Sequence, residues 1–147
     1  MIMSKALKIQ KTVHAPIERV YKAFLSPRDL TQWYYASEGW TTPYAEVVAK
    51  PGGRLKIAFK DPKGKNSFDY EGTFVLLDAP KKIVYKMDDD RMVSIRFIEL
   101  SLSKTRILET FDAEDVMPIR TQQAGWKAIL DHLDDYLKTQ SQLPNAL

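Results

Sequence analysis

The segment from Pro118 to Lys138 most constrains what this chain can fold into. Ile119, Trp126, Ile129, Leu130, Leu133 and Leu137 recur at steps of three and four, which gathers them on one stripe of a helix. Arg120, Lys127, Asp131, Asp134 and Lys138 fall largely on the other side. At 1.5 Å per residue such a helix spans roughly 30 Å, about the diameter of a small domain. The body before it reads almost entirely as strands. One long helix wrapped by a sheet is an architecture that often encloses a cavity.

The pattern upstream supports that architecture. Between Ser4 and His14, Leu7, Ile9 and Val13 alternate with Lys8, Gln10 and Thr12, as in a half-buried strand. Ala15-Pro16 then opens a helix, with Pro16 near the first helical position and Val20, Tyr21, Phe24 and Leu25 as its buried stripe. Ser26-Pro27 stops it, and Ser26 is placed to cap a second short helix from Pro27 to about Trp33. From Thr42 to Phe111 the period becomes two, with turn signals at Pro51-Gly52-Gly53, Asp61-Pro62-Lys63-Gly64, Ala79-Pro80 and Asp88-Asp89-Asp90. Connections this short imply antiparallel neighbours. The predicted order is one strand, two short helices, about six antiparallel strands and one long helix: an α+β fold.

Strand parity then selects the inward side chains. Leu55, Ile57 and Phe59 share a face, as do Phe68, Tyr70, Phe74 and Leu76, then Ile83, Tyr85 and Met87, then Val93, Ile95 and Phe97. The result is an inner surface rich in aromatics. Gly72, inside Tyr70-Glu71-Gly72-Thr73-Phe74, is expected to mark a bend or bulge of a strongly curved sheet. Gly125 is expected to let neighbouring backbone come close, so that Trp126 projects toward the concave face.

Composition narrows the classes. With 147 residues, 44% of them hydrophobic, the chain fits one domain, taken as residues 1–147 with a core at 5–139 and a short flexible tail at 140–147. The absence of cysteine excludes disulfides and thiolate chemistry. MIMSKALKIQ lacks the apolar run of a signal peptide and no stretch approaches the ~20 apolar residues of a membrane span, so a cytoplasmic location is expected. The net charge of +3 is mild and its charges are dispersed. Lys60, Lys63 and Lys65 read as a solvated hairpin tip rather than a nucleic-acid surface.

The run Val13-His14-Ala15-Pro16-Ile17-Glu18-Arg19-Val20-Tyr21, Trp33 after Leu30, Pro51-Gly52-Gly53-Arg54, Tyr70-Glu71-Gly72-Thr73-Phe74 and the late Gly125-Trp126, Leu130, Leu133, Tyr136 and Leu137 resemble a known family. It is the activator of heat-shock-protein-90 ATPase homologue group of the START-like (SRPBCC) superfamily. The resemblance runs from about Leu7 to Lys138 and implies a helix-grip fold: a curved antiparallel sheet of six to seven strands gripping the C-terminal helix, with two short helices closing one end. It also implies a module that binds small apolar molecules, a co-chaperone-like protein partner, or, in a few members, catalysis. Fold alone does not choose among these.

The residues favour a small hydrophobic ligand, with Trp33, Trp40, Phe59, Tyr70, Tyr85, Phe97, Phe111, Trp126 and Leu130 as candidate lining. Trp33, Tyr34, Tyr35, Trp40 and Tyr44 either lid the core or gate the cavity mouth. The second reading is a protein-interaction module, with a chaperone as one partner. The third is a cyclase- or dehydratase-type enzyme using Glu109, Glu99 or His14 as acid or base. Parity puts Glu109 on the face of Ile107 and Phe111, and Glu99 on that of Val93, Ile95 and Phe97. A buried carboxyl there would be costly in its charged form. The alternative is a bulge that turns Leu100 or Leu108 inward and leaves the glutamates in solvent. His14 at a strand end reads more readily as a hydrogen-bonded structural residue.

No cofactor motif is present: the sequence lacks a P-loop, a dinucleotide-binding glycine fingerprint, a G-x-S-x-G elbow and H-E-x-x-H. No metal is expected either. Asp88-Asp89-Asp90 lacks the spacing of a calcium loop, and Asp131, His132, Asp134 and Asp135 read as a polar outer helix face. A monomer or weak homodimer is expected.

Overall fold

The computed structural model describes residues 6–142. Its elements are β1 (Ala6–Val13), α1 (Ile17–Ala23), α2 (Pro27–Trp33), β2 (Thr41–Val47), β3 (Arg54–Lys60), β4 (Ser67–Asp78), β5 (Lys82–Met87), β6 (Met92–Ser101), β7 (Lys104–Asp112) and α3 (Ile119–Gln142). The strands form one curled antiparallel sheet in the order β1-β7-β6-β5-β4-β3-β2. From β2 to β7 each strand pairs with its successor, and β1 returns to the far edge to pair with β7, from Ala6 opposite Asp112 to Val13 opposite Thr105. This is the helix-grip arrangement, with α3 inside the curve.

Local chemistry explains the helical start. Pro16 precedes the first turn of α1, where a missing N–H costs nothing, and Ile17, Val20, Tyr21 and Ala23 are buried. Ser26 caps α2 by accepting a hydrogen bond from the Asp29 N–H, and Pro27 occupies the first turn. The two short helices are tied to α3 through Asp29. Its carboxylate accepts two hydrogen bonds from the Arg19 guanidinium (2.8 and 3.1 Å) and one from the Tyr136 hydroxyl (2.6 Å). Burial alone would raise the Asp29 carboxyl, but the bonds from Arg19 and Tyr136 outweigh it and hold the group below its ordinary value.

The concave face buries Leu7 and Ile9, Ile107 and Phe111, Val93, Ile95 and Phe97, Ile83 and Tyr85, Phe74, and Leu55 and Ile57. Leu130, Leu133 and Leu137 of α3 complete this core.

Several local expectations are corrected. The sheet irregularity of β4 lies between Phe74 and Leu76, not at Gly72, and it flips the parity: Leu76 is exposed and Leu77 turns toward the core. Gly72 serves a close approach instead. A Cβ there would lie 2.8 Å from the Lys86 carbonyl oxygen and 3.3 Å from the Tyr85 ring. Phe68 is also exposed and packs on Trp40 at the end of the sheet, with ring centroids 5.7 Å apart. Gly125 has open space where a side chain would stand, so no backbone approach depends on it. The last helix extends past the expected core boundary to Gln142, and residues 143–147 of the expected tail lie outside the described residues, as does Lys5.

Candidate functional site

A cavity of about 310 Å³ opens between the first half of α3, the β3–β4 end of the sheet and the segment that joins α2 to β2. Tyr34, Tyr35, Ala36, Ser37 and Trp40 come from that segment, Phe59 from β3, Tyr70 from β4, and Trp126 and Ile129 from α3. Its walls are overwhelmingly apolar, and its size falls in the range of small-molecule sites.

The joining segment is held in place by three contacts. The Tyr34 carbonyl accepts a hydrogen bond from the Thr42 hydroxyl (2.6 Å). The His132 ring stacks on Tyr35 at 4.0 Å while its Nδ1 lies 2.6 Å from the Tyr35 carbonyl oxygen. Gly39, at φ +84°, leaves room for Pro62 of the β3–β4 hairpin, which a Cβ would approach to 3.1 Å. The floor is aromatic. Trp126 stacks on Phe111 at 4.4 Å and meets the Tyr70 ring edge-on at 5.9 Å.

Of the residues expected to line a cavity, Trp40, Phe59, Tyr70 and Trp126 do so, and Phe111 lies directly beneath Trp126. Tyr85 stands one layer deeper, its hydroxyl hydrogen-bonded to that of Tyr70. Trp33, Phe97 and Leu130 do not reach the cavity. Trp33 is wholly buried against Phe24 and donates to the Ala23 carbonyl, Phe97 packs on Tyr21 and Phe24, and Leu130 belongs to the core. Tyr44 is exposed and donates to Glu46. Ala36, Ser37 and Ile129 carry no sequence signal of a binding role, since small loop residues and one more aliphatic on a helix stripe are common everywhere. The doublet Tyr34-Tyr35 is the signal that was present.

The three acid–base candidates separate cleanly. Glu109 continues the inward parity of Ile107 and Phe111 and is 3% exposed. Burial pushes its carboxyl up to about 8, so it is largely protonated at neutral pH. No side-chain partner bonds it among the described residues. Glu99 is exposed: it pairs in register with Thr105 near the end of β6, where the strand runs past the core, and the irregularity between Glu99 and Ser101 follows it. Leu100 is exposed as well, so the alternative register is not adopted. His14 is on the outer side, where its N–H and ring Nδ1 face the buried Asp134 carboxylate at 3.0 and 3.2 Å. Asp134 is therefore not part of a free polar helix face.

Around Glu109 the charge balance is unusual. Burial raises the hydroxyls of Tyr34, Tyr70 and Tyr85, and the Glu109 carboxyl adds to the effect on each, which places all four groups within electrostatic reach of one another. The acidic runs are elsewhere. Asp88 pairs with Arg54 (2.7 Å), Asp89 with Arg91 (2.7 Å) and Asp90 with Lys86 (3.2 Å), all at an exposed hairpin.

Comparison with known proteins fits this geometry. Residues 14–138 match the family described as activator of Hsp90 ATPase homolog 1-like protein. The chain belongs to this family. An AHSA1-like protein from Aeromonas hydrophila, solved in solution, is 32% identical, with 96% of this chain and 99% of that one covered and a TM-score of 0.83. A Cytophaga hutchinsonii protein is 31% identical over 95% and 97% of the two chains, with a TM-score of 0.76. One from Chromobacterium violaceum is 26% identical over 89% and 96%, with a TM-score of 0.80. No curated protein matches the chain. Family membership thus accounts for the helix grip.

Proposed function

We propose that this AHSA1-like protein binds a small hydrophobic, aromatic-rich molecule in the cavity between α3, the β3–β4 end of the sheet and the Tyr34–Trp40 segment. The observation that carries the reading is the concentration of Tyr34, Tyr35, Trp40, Phe59, Tyr70 and Trp126 around one open, apolar space of about 310 Å³. Left without an occupant, so much aromatic surface facing a void forgoes the contacts that dense packing supplies.

A library of lipids, aromatic metabolites and polyketide-like molecules screened by thermal unfolding tests it. A ligand at about 100 times its Kd adds roughly 2.7 kcal/mol of apparent stability, a rise of several degrees in Tm. A library with no member that raises Tm, together with no binding by calorimetry, refutes the reading.

The name of the family brings in a chaperone partner as the second reading. It needs a contiguous exposed apolar patch of a few hundred Å². The exposed apolar side chains Val75, Leu100, Leu102, Val116 and Met117 are spread over β4, the end of β6, the β6–β7 turn and the segment before α3. Catalysis by Glu109 is a third reading, but Glu99 and His14 do not join it, so no second carboxylate or imidazole among the candidates stands beside it.

A further inference from the structure

The hydroxyls of Tyr34, Tyr70 and Tyr85 gather where the cavity ends, and Tyr34 and Tyr70 also form its wall. Tyr34 lines the small inner void shared with Tyr85 as well, so it connects the two spaces. The Tyr70 and Tyr85 oxygens are in hydrogen-bond contact. Two hydroxyls bring two protons and use only one between their oxygens, so one remains to donate elsewhere. The Tyr34 hydroxyl is within hydrogen-bond reach of both, so the three oxygens share three protons in one network, and those protons are free to turn toward an acceptor that arrives from the cavity. The unpartnered Glu109 carboxyl, 3% exposed and neutral at ordinary pH, brings a fourth. Among the described residues no cation bears on Glu109 or on Tyr34. Two hydroxyl-bearing side chains on the cavity wall, a third hydroxyl behind them and a buried carboxyl on the same inner face of the sheet are thus the polar groups at this end of the apolar space, with no cation set beside Glu109 or Tyr34 among the described residues.

Such a set discriminates among ligands. A carboxylate ligand would lose its hydration without gaining a counter-ion. An ammonium would find aromatic faces but no ionised acid until Glu109 gave up its proton. An oxygen that carries, or develops, a single delocalised negative charge is what several converging O–H donors stabilise best in a dry site, as paired tyrosine and protonated carboxyl groups do for enolates.

We propose that Tyr34, Tyr70, Tyr85 and Glu109 form a donor cluster that receives the oxygen of a phenol- or enol-type aromatic ligand whose rings occupy the cavity. This rests on the ligand-binding reading of the cavity and adds the chemical class of the ligand.

Three probes of nearly equal shape separate the possibilities: para-nitrophenol, para-nitrotoluene and para-nitrobenzylamine, titrated into the intact protein near neutral pH by calorimetry, with the phenolate absorption followed in parallel. The expected result is para-nitrophenol binding at least ~10-fold more tightly than para-nitrotoluene, as one charge-assisted hydrogen bond provides. The bound fraction should absorb as phenolate. Tyr70→Phe and, independently, Tyr85→Phe should each narrow the phenol-to-toluene ratio by about 5-fold or more; thermal unfolding identifies which of the two variants is folded. Equal binding of phenol and toluene overturns the donor cluster while leaving the apolar cavity as a binding site. Preference for the amine overturns it in favour of an ionised Glu109. Binding of none of the three removes this proposal, and failure of the wider library removes the ligand-binding reading itself.

Discussion

The indole of Trp126 lies nearly flat on the Phe111 ring, with centroids 4.4 Å apart and planes 22° from parallel. The side chain at the centre of the long helix therefore borders the cavity and seals Phe111 beneath it, rather than filling the space. Trp126→Ala removes that seal and part of the wall. Because Trp126 is only partly buried, the expected loss is about 2 kcal/mol, below the 3–5 kcal/mol of a fully buried tryptophan. Urea unfolding measures it, and the affinity of any apolar ligand should fall by about 10-fold or more in the same protein.

Glu109 makes stability depend on pH in an inverted sense. Its carboxyl titrates at about 8 in the folded state against 4.5 ordinarily, so the folded protein holds a proton that the unfolded chain has released. The stability this provides is fully present below pH 4.5, declines as pH rises toward 8 and is lost above it. Each unit of difference is worth about 1.4 kcal/mol, and the whole effect is on the order of a few kcal/mol. Glu109→Gln should flatten the decline between about pH 5 and 8 and equal or exceed the wild type at pH 9, measured as Tm against pH. A wild-type curve with no fall in that window would show that the carboxyl is not dry.

Asp29 has the opposite sign. Its carboxyl lies below its ordinary value of 3.8, so its contribution is present above that pH and is lost as acid protonates it. Asp29→Asn breaks the Arg19 fork and disappoints the Tyr136 hydroxyl, with an expected cost of about 2–3 kcal/mol at pH 7. Tyr136→Phe should cost less, about 1–2 kcal/mol. The gap between wild type and Asp29→Asn should shrink below about pH 4, which denaturant midpoints across pH report.

Two glycines should respond in opposite directions to one added methyl group. Gly125→Ala meets nothing within 4 Å in the middle of α3 and should stabilise by about 0.5–1 kcal/mol. Gly72→Ala drives a Cβ to 2.8 Å from the Lys86 carbonyl oxygen and should cost about 1–3 kcal/mol. Thermal unfolding of both variants at one pH decides it.

The sequence made the architecture legible because periodicity and punctuation agreed. Pro16, Ser26-Pro27 and four of the strand turns stand where the elements change. The Leu102-Ser103 turn between β6 and β7 carries no such mark, because Ser101-Leu102-Ser103-Lys104 has no glycine, proline or asparagine. Parity located Glu109 on the inner face, and left open only whether a bulge intervened. The bulges themselves, after Phe74 and after Glu99, are not encoded in any single residue type. Such irregularities depend on how neighbouring strands stack. That is why parity points Leu76 inward and Leu77 outward, whereas Phe68 keeps the inward parity and is exposed because it stands at the end of the sheet. Cavity lining was less legible still. Trp33 and Tyr34 are adjacent aromatics, and one fills the core while the other faces the void, because α2 ends between them and the backbone turns.

The pairing of β1 with β7 joins residues about a hundred positions apart, and β7 is the only sheet partner β1 has among the described residues. During synthesis, β1 and the two short helices emerge before the other strands and wait for them, with Leu7, Ile9 and Val13 still in water. Contacts so distant along the chain slow closure, and a strand left open this way invites foreign pairing. The element that completes the grip is thus also the one whose timing governs how safely the protein is made.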